Sequence, residues 1–291
     1  MKPAPFTYHR PTTVADAVGL LAEHGDEAKI LAGGQSLIPM LNLRLARFEH
    51  LVDIGRIPEL QGIQRTNGHV AVGAMTRDVV VERDATIARD VPLLAAATPY
   101  IGHFQIRNRG TIGGSLAHAD PAAEYPAVAL ALDATFRVVG SGGTRQIPAA
   151  EFFTGVWSTA MEPDELLAGI DFPVWSGRTG VGVAEFARRH GDFAIAGAVV
   201  AVGLDGDTVT RAAIGVFGAS GVPVRAHAAE AAVVGQQVGS IDAADVGQAA
   251  FDGIEDITDD AQVPATYRRR VGVAMVAEAW KRATEDGGSH V

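Results

Sequence analysis

Two short segments of this 291-residue chain combine residue types and spacing suited to holding a phosphate: Ala32-Gly33-Gly34-Gln35-Ser36 and Thr111-Ile112-Gly113-Gly114-Ser115. Adjacent glycines can turn successive backbone N–H groups toward one point, and the missing Cβ lets an anion approach closely. The serine after each pair adds a hydroxyl donor. Two such loops could grip a pyrophosphate from both sides. Lysine occurs only at positions 2, 29 and 281. Charge neutralisation is therefore expected from backbone N–H dipoles, the serines and Arg107 or Arg109.

Other chemistries lack their residues. No G-x-G-x-x-G opens a helix, the dipeptide Gly-Lys of a Walker A loop never occurs, and no G-x-S-x-G elbow presents a nucleophilic serine. The nine histidines lie at least 15 residues apart, so no local His–His pair exists and a metal group would have to assemble from distant positions. No metal ligand and no catalytic acid or base is assigned. With zero cysteines there is no disulfide, thiolate nucleophile or cysteine-held iron–sulfur cluster, so redox chemistry must ride on an organic cofactor.

The elements that must position these loops are legible in part. A helix begins at Thr12 or Thr13 as cap, repeats Val14, Ala17, Val18 and Leu21 along one face, and ends at Gly25. Residues 29–32 read as a strand running into the first glycine turn, and residues 50–54 and 69–74 as further strands. Pro92 opens a helical stretch over 91–101, and Gly113-Gly114-Ser115 reads as a second glycine turn. Residues 135–139 and 144–147 form a hairpin. Beyond Trp175-Ser176-Gly177 the pattern shifts to strands over 181–186, 194–204 and 208–217, with Asp205-Gly206 as a hairpin turn, and then to three alanine-rich helices over 227–237, 243–253 and 264–285. A boundary is placed at about 177.

The formal charge of −10 argues against a nucleic-acid partner, whose backbone demands a basic face. The longest uncharged apolar run, residues 193–204, is about half of the ~20 residues a membrane span needs, and the opening MKPAPFTYHRP has no apolar signal-peptide region. A cytoplasmic protein with no integral membrane segment is expected.

These residues carry a family resemblance. The chain resembles the FAD-binding medium subunit of molybdenum hydroxylases, the group of carbon monoxide dehydrogenase and xanthine dehydrogenase. The likeness runs through Lys2-Pro3-Ala4-Pro5-Phe6, AGGQSLIPMLNLRLARFEHLVDI from Ala32, QIRNRGTIGGSLAHADPAAEYPA from Gln105, ARRHGDFAIAGAVV from Ala187 and the YRRR helix from Tyr267. It implies an α+β fold: an FAD-binding domain of the vanillyl-alcohol-oxidase/PCMH type over residues 1–177, then a small C-terminal sheet-plus-helices domain of the carbon monoxide dehydrogenase type over 178–291. FAD would lie between them, with Ala32, Gly33, Gly34, Gln35, Ser36 and Leu37 and Thr111, Ile112, Gly113, Gly114 and Ser115 around its phosphates and ribityl chain. Glu124 stands where the family has an aspartate near the cofactor. Leu166 or Leu167 would pack by the ring system, Leu167 being the one assigned, and Phe193 would face the isoalloxazine where some members carry tyrosine. Glu185 stands where some relatives have lysine, and Phe48 where proline is common.

The resemblance also implies partners. A small subunit would carry two [2Fe–2S] clusters and a large subunit the molybdenum cofactor, assembled as a dimer of heterotrimers, with electrons passing through FAD on this chain to an external acceptor. The inner face of a membrane is a conceivable location if that acceptor lies there. The residues by themselves leave open a non-redox nucleotide-binding module or a stand-alone FAD oxidase of the same fold. Among residues outside the loops, Arg268, Arg269 and Arg270 read as a solvated helix face ahead of a dock for an acidic partner, Arg188 and Arg189 read the same way although they border the flavin-facing segment, Trp157 and Trp175 read as core, and His118 equally as a cofactor contact or a structural one.

Overall fold

The computed structural model describes residues 2–289; residues 1, 290 and 291 of the expected domain spans lie outside the described residues. The chain opens with β1 (Thr7–His9), α1 (Val14–His24), β2 (Ala28–Leu31), α2 (Leu37–Leu43) and β3 (His50–Asp53). The three strands form a parallel sheet in the order β1-β3-β2. Helix α1 forms as its pattern predicts: the Thr13 side chain accepts from the Asp16 N–H, Ala17, Val18 and Leu21 are buried, and Gly25 takes φ 51° to end it.

The next region holds β4 (Ile63–Arg65), β5 (His69–Gly73), α3 (Asp78–Arg83), α4 (Ala85–Asp90), α5 (Pro92–Ala97), α6 (Phe104–Arg107), α7 (Ile112–His118), α8 (Glu124–Ala131), β6 (Thr135–Gly140), β7 (Gly143–Pro148), α9 (Ala149–Phe152), the short pair β8 (Phe153–Gly155) and β9 (Ser158–Thr159), and β10 (Leu166–Pro173). Its antiparallel sheet runs β4-β5-β10-β6-β7, with the expected hairpin as β6–β7. The second glycine pair is not a turn. Gly113 and Gly114 sit in the first turn of α7, because Thr111 adopts an extended conformation and its Oγ1 accepts from the Gly114 N–H at 3.1 Å, which caps and starts the helix.

After residues 174–177 come β11 (Arg178–Phe186), β12 (Ala196–Asp205), β13 (Thr208–Phe217), β14 (Val224–Arg225), α10 (His227–Val233), α11 (Ala243–Asp252) and α12 (Ala265–Ser289). The sheet is antiparallel in chain order. Its hairpin turn lies one residue later than expected, at Gly206 and Asp207, since Asp205 still pairs with Thr208. The helix expected over 227–237 stops at Val233.

The uninterrupted apolar character of β12 has a physical cause: both faces of the strand are covered. Val199 and Ala201 point to one side, where they join a core with Tyr125, Ala127 and Val128 of α8. Ala198, Val200 and Val202 point to the other, beneath Ala279, Trp280 and Ala283 of α12. A single apolar core thus runs from α5, α7 and α8 into the second sheet. No described helix is long and apolar enough to cross a membrane.

The sequence spacing offered no local histidine metal pair, yet the fold brings His9, His24 and His50 together beside the β1–β3 pair. Three elements distant along the chain bring them there.

Candidate flavin site

The two glycine segments meet in space. Residues 32–36 leave the end of β2 and lead into α2, and Ala32 through Leu37 are all half-buried. Gly34 takes φ 74°, the left-handed conformation that a glycine adopts without penalty. The Gln35 side chain donates back to the Gly33 carbonyl at 3.2 Å, which closes the loop on itself. A Cβ on Gly33 would stand 2.4 Å from the Arg109 carbonyl oxygen and 2.9 Å from Gly110 Cα. Gly114 in turn faces the Ala32 methyl, 3.4 Å from where its own Cβ would lie. Gly113 is buried against Ala74, where a Cβ would come within 2.4 Å. These glycines are there to let backbone meet backbone, which is what brings the two cradles side by side.

Residues that sequence reasoning did not single out hold this junction. Arg77 donates to the carbonyls of Asn108 and Arg109 at 3.0 and 3.1 Å, and the Asp78 N–H donates to the Gly110 carbonyl at 3.1 Å. The Asp78 carboxyl lies directly beneath Gly110 and is buried, with Oδ1 making no hydrogen bond. Arg107, expected as a counterion, is committed elsewhere: it pairs with Glu82 at 2.9 Å and donates to the carbonyls of Pro99, Ile101 and Gly102. Arg109 remains exposed beside the loop.

Glu124 opens α8 as a buried acid. Burial, and after it the charge of Glu185, pushes its carboxyl up to about 8. Burial likewise raises Asp78 and Glu185 to about 7 each. Glu185 Oε2 is buried without a hydrogen-bond partner. Near neutral pH this group of acids therefore holds protons that ordinary carboxylates would have lost, and can donate as well as accept hydrogen bonds.

Leu166 and Leu167 are successive residues of β10 and point to opposite faces. Leu167 joins the core beneath Ile112 and Leu116 of α7, and Leu166 joins the core of the parallel-sheet region. Phe193 is 68% exposed, on the segment between β11 and β12. It borders a cavity of about 840 Å³ whose wall includes Asp120, Trp157, Arg188, Asp260 and Arg268. The glycine loops do not line that cavity, so Phe193 lies apart from them.

Two expectations fail here. Arg268 is not part of a solvated face. It is buried and donates to the carbonyls of Ile195 at 2.6 Å, Gly218 at 2.7 Å and Thr258 at 3.0 Å, with Asp260 at 2.6 Å as counterion. It thereby fixes the end of the Phe193 segment. A signal existed: Arg268 falls on the same helical stripe as buried Gly272, Val276, Ala279 and Ala283. Trp157 is not core either. It is 59% exposed with φ 55°, and its Nε1 donates to Asp120 at 3.3 Å. Trp175 is partly buried and carries the Arg211 guanidinium over its ring at 3.9 Å. His118 stacks along Trp157, and burial holds its pKa below the usual range.

The pattern of the FAD-binding domain in molybdopterin dehydrogenase matches residues 4–175, more than half of the chain. This protein belongs to that family. Residues 183–283 match the carbon monoxide dehydrogenase flavoprotein C-terminal domain. The chain is 41% identical to the 6-hydroxypseudooxynicotine dehydrogenase complex subunit alpha of Paenarthrobacter nicotinovorans, over 97% of this chain and 96% of that one. It is 39% identical to the caffeine dehydrogenase subunit beta of Pseudomonas sp. strain CBB1, over 98% and 97%. Among solved structures it resembles carbon monoxide dehydrogenase from Hydrogenophaga pseudoflava, with a TM-score of 0.92 and 39% identity over 97% of this chain and 100% of that chain.

The chain is thus an FAD-binding oxidoreductase subunit of the medium-chain type. The residues present fit the cofactor on structural grounds: two glycine segments packed against each other, with buried carboxyl oxygens of Asp78 and Glu185 that lack partners from the protein.

Proposed function

We propose that this chain is the electron outlet of a heterotrimeric molybdenum hydroxylase. It would receive electrons from the [2Fe–2S] clusters of a small partner subunit, which drains a molybdenum centre on a large one, and release them to an external acceptor. When bound, FAD supplies the exchange between one-electron and two-electron transfer. The chain's own residues bind and orient it and keep its surroundings dry. The observation that carries this reading is the contact between the two glycine segments, Gly33 against Arg109 and Gly114 against Ala32.

In this reading residues 1–177 bind the cofactor and 178–291 close over it. Ala32, Gly33, Gly34, Gln35, Ser36 and Leu37, with Thr111, Ile112, Gly113, Gly114 and Ser115, hold the phosphates and ribityl chain. Glu124, largely protonated near neutral pH, donates a hydrogen bond near the cofactor. Leu167 supplies apolar packing. Phe193 covers the ring system and, lacking a hydroxyl, acts by shape alone.

The primary substrate is read by the large subunit. The names of the relatives point to an N-heterocycle or a related small molecule, with carbon monoxide and aldehydes as further members of the range. Purification of the native complex tests the proposal. It should yield three chains in equal amounts, in a particle sized as a dimer of heterotrimers, with flavin that dithionite reduces and a quinone, cytochrome or O2 reoxidises. A folded chain that takes up no FAD, or one that turns over substrate alone as a monomer, would sink it.

A further inference from the structure

His9 ends β1, His24 ends α1 and His50 begins β3, so three imidazoles from three elements converge at one point. His9 Nε2 lies 2.9 Å from His50 Nδ1. The His24 ring stacks on His50 with centroids 3.7 Å apart and planes 5° apart. One ring nitrogen from each of the three lies within 4.8 Å of the other two. Glu27 and Glu49 likewise each bring a carboxylate oxygen within 4.8 Å of His50. The rings are half-buried, at the rim of the sheet and open to ions from solvent.

Simple packing does not account for this arrangement. Each neutral imidazole carries one proton and one lone pair, so a metal that replaced the shared proton of the 2.9 Å contact could draw one lone pair from each of the three rings. Three imidazoles beside exposed carboxylates form a nitrogen-rich, borderline-soft donor set, which suits zinc, copper or nickel and not magnesium or calcium. We propose that His9, His24 and His50 bind a divalent transition-metal ion of the zinc class, with water in the fourth position.

At bond lengths of about 2.0–2.1 Å the nitrogens of a tetrahedral site stand about 3.3–3.4 Å apart. The His9–His50 nitrogen pair, now 2.9 Å apart, must therefore open slightly and the stacked His24 ring must turn. Rotation about a histidine χ2 is soft, and His24 sits at a helix end. The site lies away from the flavin loops: His50 pairs with Ala28 at the start of β2, whereas Ala32 follows its end, four residues and about 13 Å further along. A metal here would staple β1, a three-residue strand that pairs only with β3, to α1 and to the strand beside the first glycine loop. Its role would be structural and independent of the redox reading.

The test uses the flavin-loaded chain freed of metal by chelation. Titration with Co2+ should produce the visible ligand-field bands of a four-coordinate site at one equivalent per chain, and Zn2+ should displace them. His24→Gln and His9→Gln should each weaken Zn2+ binding measured by calorimetry by more than about 100-fold, beyond the loss from an outer-shell change. Both variants should keep the flavin spectrum, which reports that they fold. The proposal is overturned if the parent chain takes up metal only at millimolar concentration, or if two folded variants bind Zn2+ as tightly as the parent.

Discussion

At the scale of single residues, the site depends on atoms that are missing as much as on those present. Gly33→Ala places a methyl 2.4 Å from the Arg109 carbonyl, and a backbone cannot yield as a flexible side chain does. The expected result is separation of the two cradles, at least about tenfold weaker FAD binding and a stability loss of about 1–3 kcal/mol, measured by flavin titration and denaturant melts. Glu124 gives a pH prediction. Its folded pKa of about 8 lies above the ordinary value of 4.5, so the native state binds a proton that the unfolded chain has released. Its contribution to stability is full below about pH 4.5 and is lost as pH rises through 8. Flavin-stripped protein should be less stable at pH 8.5 than at pH 6 by about 2–4 kcal/mol, and Glu124→Gln should flatten that slope. A parallel slope in the variant would assign the effect to Asp78 and Glu185 instead.

At the scale of elements, two side-chain anchors decide how the site is held. The Thr111 hydroxyl starts α7, and Thr111→Ala should cost about 1 kcal/mol and fray the helix that carries Gly113, Gly114 and Ser115. Arg268 ties α12 to the Phe193 segment through the Ile195 carbonyl and also holds the Gly218 and Thr258 carbonyls. Arg268→Met keeps much of the volume but leaves Asp260 and buried carbonyls without their donor. We expect about 2–4 kcal/mol of destabilisation and faster hydrogen exchange over residues 191–195, with exchange in α1 unchanged. Elements with a local cause were legible: α1 from its cap and stripe, β6–β7 from its glycine turn, α11 from its alanine-rich composition. The first turn of α7 was not, because a Gly-Gly pair reads as a turn until the threonine before it is seen to cap. Arg268 was misread for a similar reason. Three adjacent arginines look solvated by composition, and only their different positions around the helix show that one of them points inward.

At the scale of the whole molecule, the core does not respect the change in sequence pattern near 177. Tyr125, Ala127 and Val128 pack with Val199, Ala213 and Phe217 from the second sheet, and Tyr100 donates to the Val183 carbonyl at 3.1 Å while accepting from Arg282. A chain cut after residue 177 would expose that apolar face of α8. It should aggregate or remain unfolded, whereas the full chain should melt in one cooperative transition; both are checked by solubility and calorimetry. A soluble, folded 1–177 fragment that binds FAD with full affinity would show that the second unit only covers the cofactor.

The sequence by itself determined the chemistry that can occur here. Zero cysteines remove thiolate and cysteine-held cluster chemistry, and paired glycines followed by serines offer the residue types an anion site needs, because residue types and their immediate neighbours set these properties locally. Tertiary structure alone decided what lies against what. It placed Gly33 on the Arg109 backbone, slid the Asp78 carboxyl under Gly110, turned Arg268 inward, left Trp157 outside, and gathered His9, His24 and His50 from positions 15 and 26 residues apart. Such contacts join segments whose separation along the chain carries no periodic or motif signal, and they exist only once burial of the shared core has fixed the sheets and helices relative to one another.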